Sequence, residues 1–419
     1  MSAPMVSGNT LYGTTVYGGT GNQGSVFTVN TDGNGYAILK SFNGLPDGRG
    51  PVGGFVLSGD TLYGATIFGG EFDGGAVFKI GTNGADYGIL KSFSYAPGLR
   101  FPSAPLVLSG GTLYGIGCGD GVHDWGGVFR INTDGTGYAI LWIFTNTPDG
   151  ASPGGRLAVS DNTIYGTTSL GGTYGWGTVF KINTDGTGHS ILRNFDKSSD
   201  GGEPEGSLVL SGDTLYGAAI GGGPYGVGTL FKLNVNGTGF TCLKRFSGSD
   251  GACPCGDLVL RGDTLYGTTY YGGGANNGTV FKINTNGTGF GVLKSFAAES
   301  YGTNSDGAWP SGGLGLSGDT LYGTADEGGS QGFGLVFSLT LPPPLHILTS
   351  DRVFGVQSNG FCFSVAGPSN QTVVVEACLD LHATNWVSLL TNTLGNAPLQ
   401  FSDPDWNHYP GRFYRVHGQ

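Results

Sequence analysis

Residues 117–125 read GCGDGVHDW, and they gather two carboxylates, a thiol, an imidazole and an indole within nine positions. Histidine is the side chain that most readily trades a proton near neutrality, so His123 is the natural general base or acid of such a group. Asp120 or Asp124 would orient the imidazole, and Arg100 would offset a substrate carboxylate. This set suits a polysaccharide lyase. A glycoside hydrolase would instead need two carboxylates facing one bond, and Asp326 and Glu327 form a second acidic pair. A divalent cation near Asp120, His123 and Asp124 is compatible with these residue types, although no metal motif of standard spacing is present. A Ser-His-Asp triad would have to use His123, the one histidine in a loop of this kind.

What positions these residues is a repeat. The tetrapeptide T-[LI]-Y-G begins at 10, 61, 112, 163, 214, 264 and 320, at intervals of 51, 51, 51, 51, 50 and 56 residues. Each unit reads as a short strand (LVLSG), a tight turn, DTLYGTT, a Gly-rich loop, GTVFKIN, an Asp-Gly or Asn-Gly turn, then AILKSF. Four short strands per ~50 residues predict propeller blades, and seven copies predict a closed seven-bladed ring. The short turns SGD and NTDGTG join neighbouring antiparallel strands. The longer D-G-x-x-P stretches cross from the outer LKSF strand of one blade to the inner LVLSG strand of the next. Those crossings and the loops after LYGTT therefore share one face. In the last copy the outer strand is unassigned: His346–Leu348 supplies it, or the blade has three strands.

Against this template the third and seventh copies stand out, with Cys118 and Asp326 where others have Val16, Ile67, Ser169, Ile220 or Tyr270, and the third also carries Asp120 where the template has Gly. The acids of the third and seventh copies fall nearly opposite each other across the mouth. Eleven and thirteen residues after the Thr of TLYG, copies three to five carry His123, Trp125, Tyr174, Trp176 and Tyr225. An arc of rings offers aromatic faces to sugar C–H groups; the alternative is that the rings pack the loops against one another. The crossing AAESYGTNSDGAW (297–309) is five residues longer than its counterpart in blade four. Its Tyr301 and Trp309 are expected to close over the opening as a lid.

Composition narrows the partners. Eighty-four glycines in 419 residues, without a three-residue period, fit turns between many strands. A net charge of −11 disfavours nucleic acid, which needs clustered Lys and Arg. No apolar run approaches the ~20 residues of a membrane span. The acidic, Lys-poor character predicts an exported protein whose gene encodes a signal ahead of Met1. Six cysteines show no framework spacing and read as unpaired. NTDGNG (30–35) imitates the start of a calcium loop, but Ser41 stands at the twelfth position, so hairpin chemistry explains it. Asp47, Asp149, Asp200, Asp250 and Asp306 of the crossings read as loop-shaping.

LYGTT, the GG that follows and GTVFKI, recurring over Leu11–Ile283 with a shortened last copy LYGTADEGG…LVFSL (321–339), resemble the GloVer-type (Gloeo-Verruco) tandem repeat of secreted bacterial proteins. The resemblance implies export and a propeller-like fold and supplies no catalytic residues. TVVVEACLDLHATNWVSLL…FSDPDWNHYPGRFYRV (372–416) looks like a small β-sandwich module found at the C-termini of similar proteins, after a linker at 342–344. The expected architecture is thus all-β: a seven-bladed propeller over 1–341 and a β-sandwich-like module over 345–419. Two functions remain open. One is a secreted or cell-surface binding protein for a glycan or protein ligand, contacted through Trp125, Tyr174, Trp176, Tyr225, Tyr301, Trp309, Asp326 and Glu327. The other is a polysaccharide lyase or hydrolase using His123, Asp120, Asp124 and Arg100.

Overall fold

The computed structural model describes residues 3–95, 98–120, 122–300, 302–342, 345–379, 386–409 and 411–418. The chain forms two compact units, Met1–Leu339 and Thr340–Gln419. Among the described residues both are built of strands, with one 3-10 turn at Trp406–His408. No described helix is long and apolar enough to cross a membrane.

In the first unit, each repeat folds into one antiparallel sheet whose strands lie side by side in chain order. The fourth sheet shows the pattern: Ala151–Ser160, Thr163–Leu170, Thr178–Asn183 and Ser190–Asn194. The order follows from the turns. Asn30, Asn132, Asn183, Asn234 and Asn284 each start a tight turn in which the next Asp or Asn side chain accepts a backbone N–H two residues on, as Asp134 does from Thr136 at 2.8 Å. Such a turn joins adjacent strands only. The third sheet gains a short strand, Arg100–Pro102, paired with the end of Thr112–Gly119. The seventh has three strands among the described residues: Gly315–Ser317, Thr320–Ala325 and Leu335–Thr340. His346–Leu348 does not supply a fourth; it pairs with Ser364–Ala366 in the second unit. A Cβ on Gly315 would lie 2.6 Å from the Pro4 carbonyl, so the first strands of the seventh and first sheets touch.

Neighbouring sheets lock through phenylalanine. The Phe closing each fourth strand meets the third-strand Phe of the next sheet edge to face: Phe42 with Phe78, Phe93 with Phe129, Phe144 with Phe180, Phe195 with Phe231, Phe246 with Phe281 and Phe296 with Phe337, all with centroids 5.1–5.4 Å apart. The third-strand ring also fills the space a side chain would need at the Gly of LYG. A Cβ on Gly166 would lie 2.5 Å from the Phe180 ring, and Gly64, Gly217 and Gly267 face Phe78, Phe231 and Phe281 in the same way.

The crossings are fixed by ion pairs and by backbone geometry. Asp47 pairs with Lys40 at 2.7 Å, while Asp200, Asp250 and Asp306 pair with Arg193, Lys244 and Lys294 of their own fourth strands. In the fourth sheet's crossing, Trp142 donates its indole N–H to Asp149 at 3.0 Å instead. The residue before each crossing proline is left-handed: Gly50, Phe101, Ser152, Glu203, Cys253 and Trp309, with φ of 52–60°. Its N–H donates to the loop between the second and third strands of the preceding sheet, as Trp309 does to the Asn277 carbonyl at 2.9 Å.

In the second unit, one sheet comprises His346–Leu348, Gly355–Gln357, Gly360–Ala366 and Leu399–Asp403; another comprises Val387–Thr393, Thr372–Cys378 and Phe413–Gly418. Phe363, Val365, Phe401, Val373 and Val375 from both form one core. All six cysteines of the chain are free thiols.

Two outcomes follow from this packing. Gly166→Ala forces a methyl group into the Phe180 ring and should destabilise the first unit by about 1–3 kcal/mol, read by denaturant unfolding. His189 stacks on Trp142 at 4.0 Å, and its Nε2 is buried without a partner. Burial lowers its pKa, opposed in part by Asp149. The folded chain therefore binds fewer protons than the unfolded chain below the ordinary histidine value of about 6.5, so stability falls as pH drops through that value and levels off below the folded pKa. Phe240 and Phe290 stand at the corresponding places of the next two sheets. His189→Phe should accordingly lose less Tm than the parent between pH 7.5 and 5.5; an equal loss would show that His189 stays solvated.

Candidate functional site

The third sheet's distinctive loop is held by Asp120. Its carboxylate, 4% exposed, accepts the backbone N–H groups of Val122 at 2.7 Å, His123 at 2.7 Å and Asp124 at 2.9 Å. Burial raises its pKa, but these three donors and the nearby His123 outweigh burial and leave it below the usual carboxylate range. The hydrogen bond between Asp120 and His123 thus runs through the main chain. The His123 ring stacks on Trp125 with centroids 4.6 Å apart. Arg100 donates to Asp124 at 2.7 Å and lies 5.0 Å from the Tyr95 centroid and 5.1 Å from that of Phe101. The second sheet repeats this brace: Arg49 pairs with Asp73 at 3.2 Å and lies over Phe68. Asp73 and Asp124 are both left-handed, and in the second sheet Asp73 accepts the Gly69 N–H. In the third sheet the two tasks are divided: Asp120 closes the loop and Asp124 pairs with Arg100. Among the described residues no group of His, Cys, Asp and Glu is arranged to hold a metal ion.

The aromatic arc divides into covered and open rings. Trp125 and Trp176 are half-buried against the inter-sheet cores. His123 covers a face of the first, and the Lys197 ammonium sits 3.6 Å from the centroid of the second. Tyr174 and Tyr225 remain exposed. Tyr174 borders a polar groove of about 360 Å³ with Arg193, Asn194 and Asp196. Tyr301 lies outside the described residues.

A larger cleft, about 760 Å³, opens between the sixth, seventh and first sheets. Trp309 and Tyr270 stack there with centroids 6.1 Å apart. Tyr17, 75% exposed, and Phe333, 86% exposed, line the same space. Asp326 and Glu327 supply its carboxylates. Asp326 accepts from the Ser311 hydroxyl at 2.7 Å, and the backbone of Glu327 pairs with Ala308. Burial first, then the negative charge of Asp326 with Tyr271, Cys255 and Glu327, raise the Tyr270 phenol above its ordinary value. The acids of the third and seventh sheets line different spaces: the cleft walls hold none of Asp120, His123 or Asp124.

The residue after each crossing proline defines a third space. Val52, Ser103, Gly154, Glu205, Cys255 and Ser311 come together around an opening of about 440 Å³. Burial, aided by Glu203, raises the Glu205 carboxyl, and burial pushes the Cys255 thiol up to about 12, so this thiol is not a nucleophile at neutral pH.

Sequence comparison overlooked Tyr17, Tyr270 and Phe333. Tyr270 occupies the repeat position of Cys118 and Asp326, and Phe333 that of Trp125 and Trp176, so the signal was present in the aligned copies. What concealed the cleft is that its walls come from both ends of the repeat array.

The Gloeobacter/Verrucomicrobia repeat matches residues 2–158 and 101–337, and the chain belongs to this family. No curated protein matches the chain. Among solved structures, an oligogalacturonate lyase from Vibrio parahaemolyticus is similar at 11% identity over 80% of this chain and 87% of that one, with a TM-score of 0.52. An oligogalacturonate lyase in complex with manganese gives 13% identity, 80% and 86% coverage and a TM-score of 0.49. A puromycin-hydrolysing peptidase from Mycobacterium tuberculosis gives 11%, 88% and 58%, and 0.54. At this identity the likeness to the Vibrio lyase is one of all-β, propeller-like fold.

If Asp120 serves to build the loop, Asp120→Ala should cost about 1.5–3 kcal/mol in stability, the scale of hydrogen bonds to a charged group. With the folded pKa depressed, that contribution is present above the unfolded carboxyl value of about 3.9 and lost as pH falls toward the folded one. Urea unfolding at pH 7 and pH 3 measures both.

Proposed function

We propose that this member of the Gloeobacter/Verrucomicrobia repeat family is a seven-bladed β-propeller that binds a neutral glycan on its long-loop face, in a secreted or cell-surface setting. Each sheet of the first unit is read as one blade. The contact of the seventh sheet's Gly315 with Pro4 supports closure of the ring. The Thr340–Gln419 unit is read as a β-sandwich-like spacer or attachment module. Export rests on the family resemblance and on the acidic, lysine-poor composition.

The observation that carries the ligand reading is the cleft of Tyr17, Tyr270, Trp309 and Phe333 beside Asp326 and Glu327. Aromatic faces match the C–H faces of sugar rings, while carboxylates accept sugar hydroxyls. Those carboxylates, and a chain charge of −11, disfavour uronates and favour neutral sugars. Tyr174 and Tyr225 are exposed enough to extend the contact along the rim. Binding is favoured over lyase or hydrolase chemistry because the Asp120 carboxylate is engaged by the main chain and Arg100 by Asp124.

Calorimetry with a panel of neutral oligosaccharides tests this. Trp309→Ala should weaken binding by about 1–3 kcal/mol, the scale of an aromatic anchor, and Trp125→Ala should leave affinity within about twofold. Normal binding by Trp309→Ala with loss in Trp125→Ala and Trp176→Ala would move the ligand to blades three to five. Release of reducing ends or unsaturated uronates by the parent, abolished in His123→Ala, would overturn the binding reading in favour of the enzyme.

A further inference from the structure

The seam between the seventh and first sheets is built to receive a strand that the described residues do not provide. The strand Leu335–Thr340 is the last of its sheet, and no other described strand pairs with its free edge. Leu335, Val336 and Phe337 are only half-buried, whereas the corresponding residues of the second to sixth sheets are fully buried. Beside that edge lies a groove of about 500 Å³, walled by Phe27, Val29 and Tyr36 of the first sheet and by Tyr322, Leu335 and Phe337 of the seventh.

Five other seams show what fits such a groove. There the fourth strand of the preceding sheet makes three contacts with the next. Its leucine covers the turn glycine: Leu39 on Gly84, Leu90 on Gly135, Leu141 on Gly186, Leu192 on Gly237 and Leu243 on Gly287. The following residue covers the aromatic after that turn. Lys40 lies 4.3 Å from the centroid of Tyr87, Lys91 4.7 Å from Tyr138, Arg193 4.2 Å from Phe240 and Lys244 4.2 Å from Phe290. In the remaining seam Trp142 stacks on His189. Two residues further on, the phenylalanine meets the third-strand ring.

The first sheet carries all three receptors, and none is covered in this way. A Cβ on Gly33 would have nothing within 4 Å. Tyr36 is 61% exposed, and no cation of the described residues lies over it. Phe27 is 6% exposed, and its ring contact among the described residues is with Tyr36 of its own sheet, at 5.8 Å. Turn, ring and edge strand thus repeat a complementary surface that is occupied at every comparable seam.

We propose that this seam binds an extended strand of a partner polypeptide carrying the pattern Leu-[Lys/Arg]-x-Phe. The strand adds antiparallel to Leu335–Thr340, with its leucine on Gly33, its cation on Tyr36 and its phenylalanine against Phe27. Backbone pairing to an open sheet edge provides affinity, and the three side-chain positions provide sequence specificity. This inference is independent of glycan binding.

The test uses the whole chain and a fluorescent peptide, FGVLKSFA, which copies residues 290–297. Saturable binding by fluorescence anisotropy is expected, with a rise in Tm. Changing Phe296→Ala in the peptide should weaken binding about tenfold or more, and Lys294→Ala should weaken it severalfold. In the protein, Tyr36→Ala should weaken the parent peptide but not the Lys294→Ala peptide further, the signature of direct coupling. Gly33 has φ +85° and open space around it, and asparagine is the side chain that adopts the left-handed region at least cost, so Gly33→Asn should lower the free protein's Tm only slightly while blocking the leucine. Equal affinity for a scrambled peptide, or no binding at millimolar concentration, would overturn the proposal. A dimer by analytical ultracentrifugation that dissociates in Gly33→Asn would overturn it in favour of a second copy of this chain as the occupant.

Discussion

The edge-to-face contact between the last phenylalanine of one sheet and the third-strand phenylalanine of the next is the interaction on which the first unit depends. Each repeat is too thin to bury its own faces, so its apolar residues are satisfied only by a neighbour. The contact recurs with nearly the same geometry six times, from Phe42–Phe78 to Phe296–Phe337. Its demand for space explains the glycine of LYG: the ring that meets the next sheet occupies the volume where that residue's side chain would stand. One packing solution thereby dictates two of the most regular features of the repeat.

With the sheets locked together, the crossings decide which side chains share an opening. Proline and the left-handed residue before it hold each crossing in one path, with an aspartate added in five of the six, so the residues flanking that proline are delivered to equivalent places in successive sheets. Side-chain identity there varies freely: Glu205, Cys255 and Ser311 share one opening, and Phe101, Glu203 and Trp309 occupy corresponding positions. A scaffold that fixes position while leaving identity open is suited to displaying a binding surface. The third sheet's departure from the template has a structural cause on the same logic. Asp120 closes its own loop through three main-chain donors, and the Arg100–Asp124 pair repeats the Arg49–Asp73 brace one sheet earlier.

Much of the fold was legible in the sequence because it is periodic. The spacing of T-[LI]-Y-G located the sheets, the NTDGTG turns set the strand order, and the recurring crossing aspartates announced their role in shaping loops. The turn reading of NTDGNG also follows from local chemistry, since Asp32 accepts the Asn34 N–H within two residues. The fourth strand of the last repeat was not legible. His346–Leu348 is short and apolar enough for either sheet, and pairing with Ser364–Ala366 decided the matter.

The candidate site divides along the same line. Local pattern was sufficient to pick out Trp309, Asp326 and Glu327 as unusual residues on the loop face. Only the tertiary structure placed them with Tyr17, Tyr270 and Phe333, because the first and last sheets, three hundred residues apart in sequence, meet there. Likewise the sequence listed Asp120, His123, Asp124 and Arg100 as a chemical group, but which atoms face one another depends on backbone geometry that residue type does not encode. Periodicity determines the unit and its neighbours; long-range closure determines which side chains share a cleft.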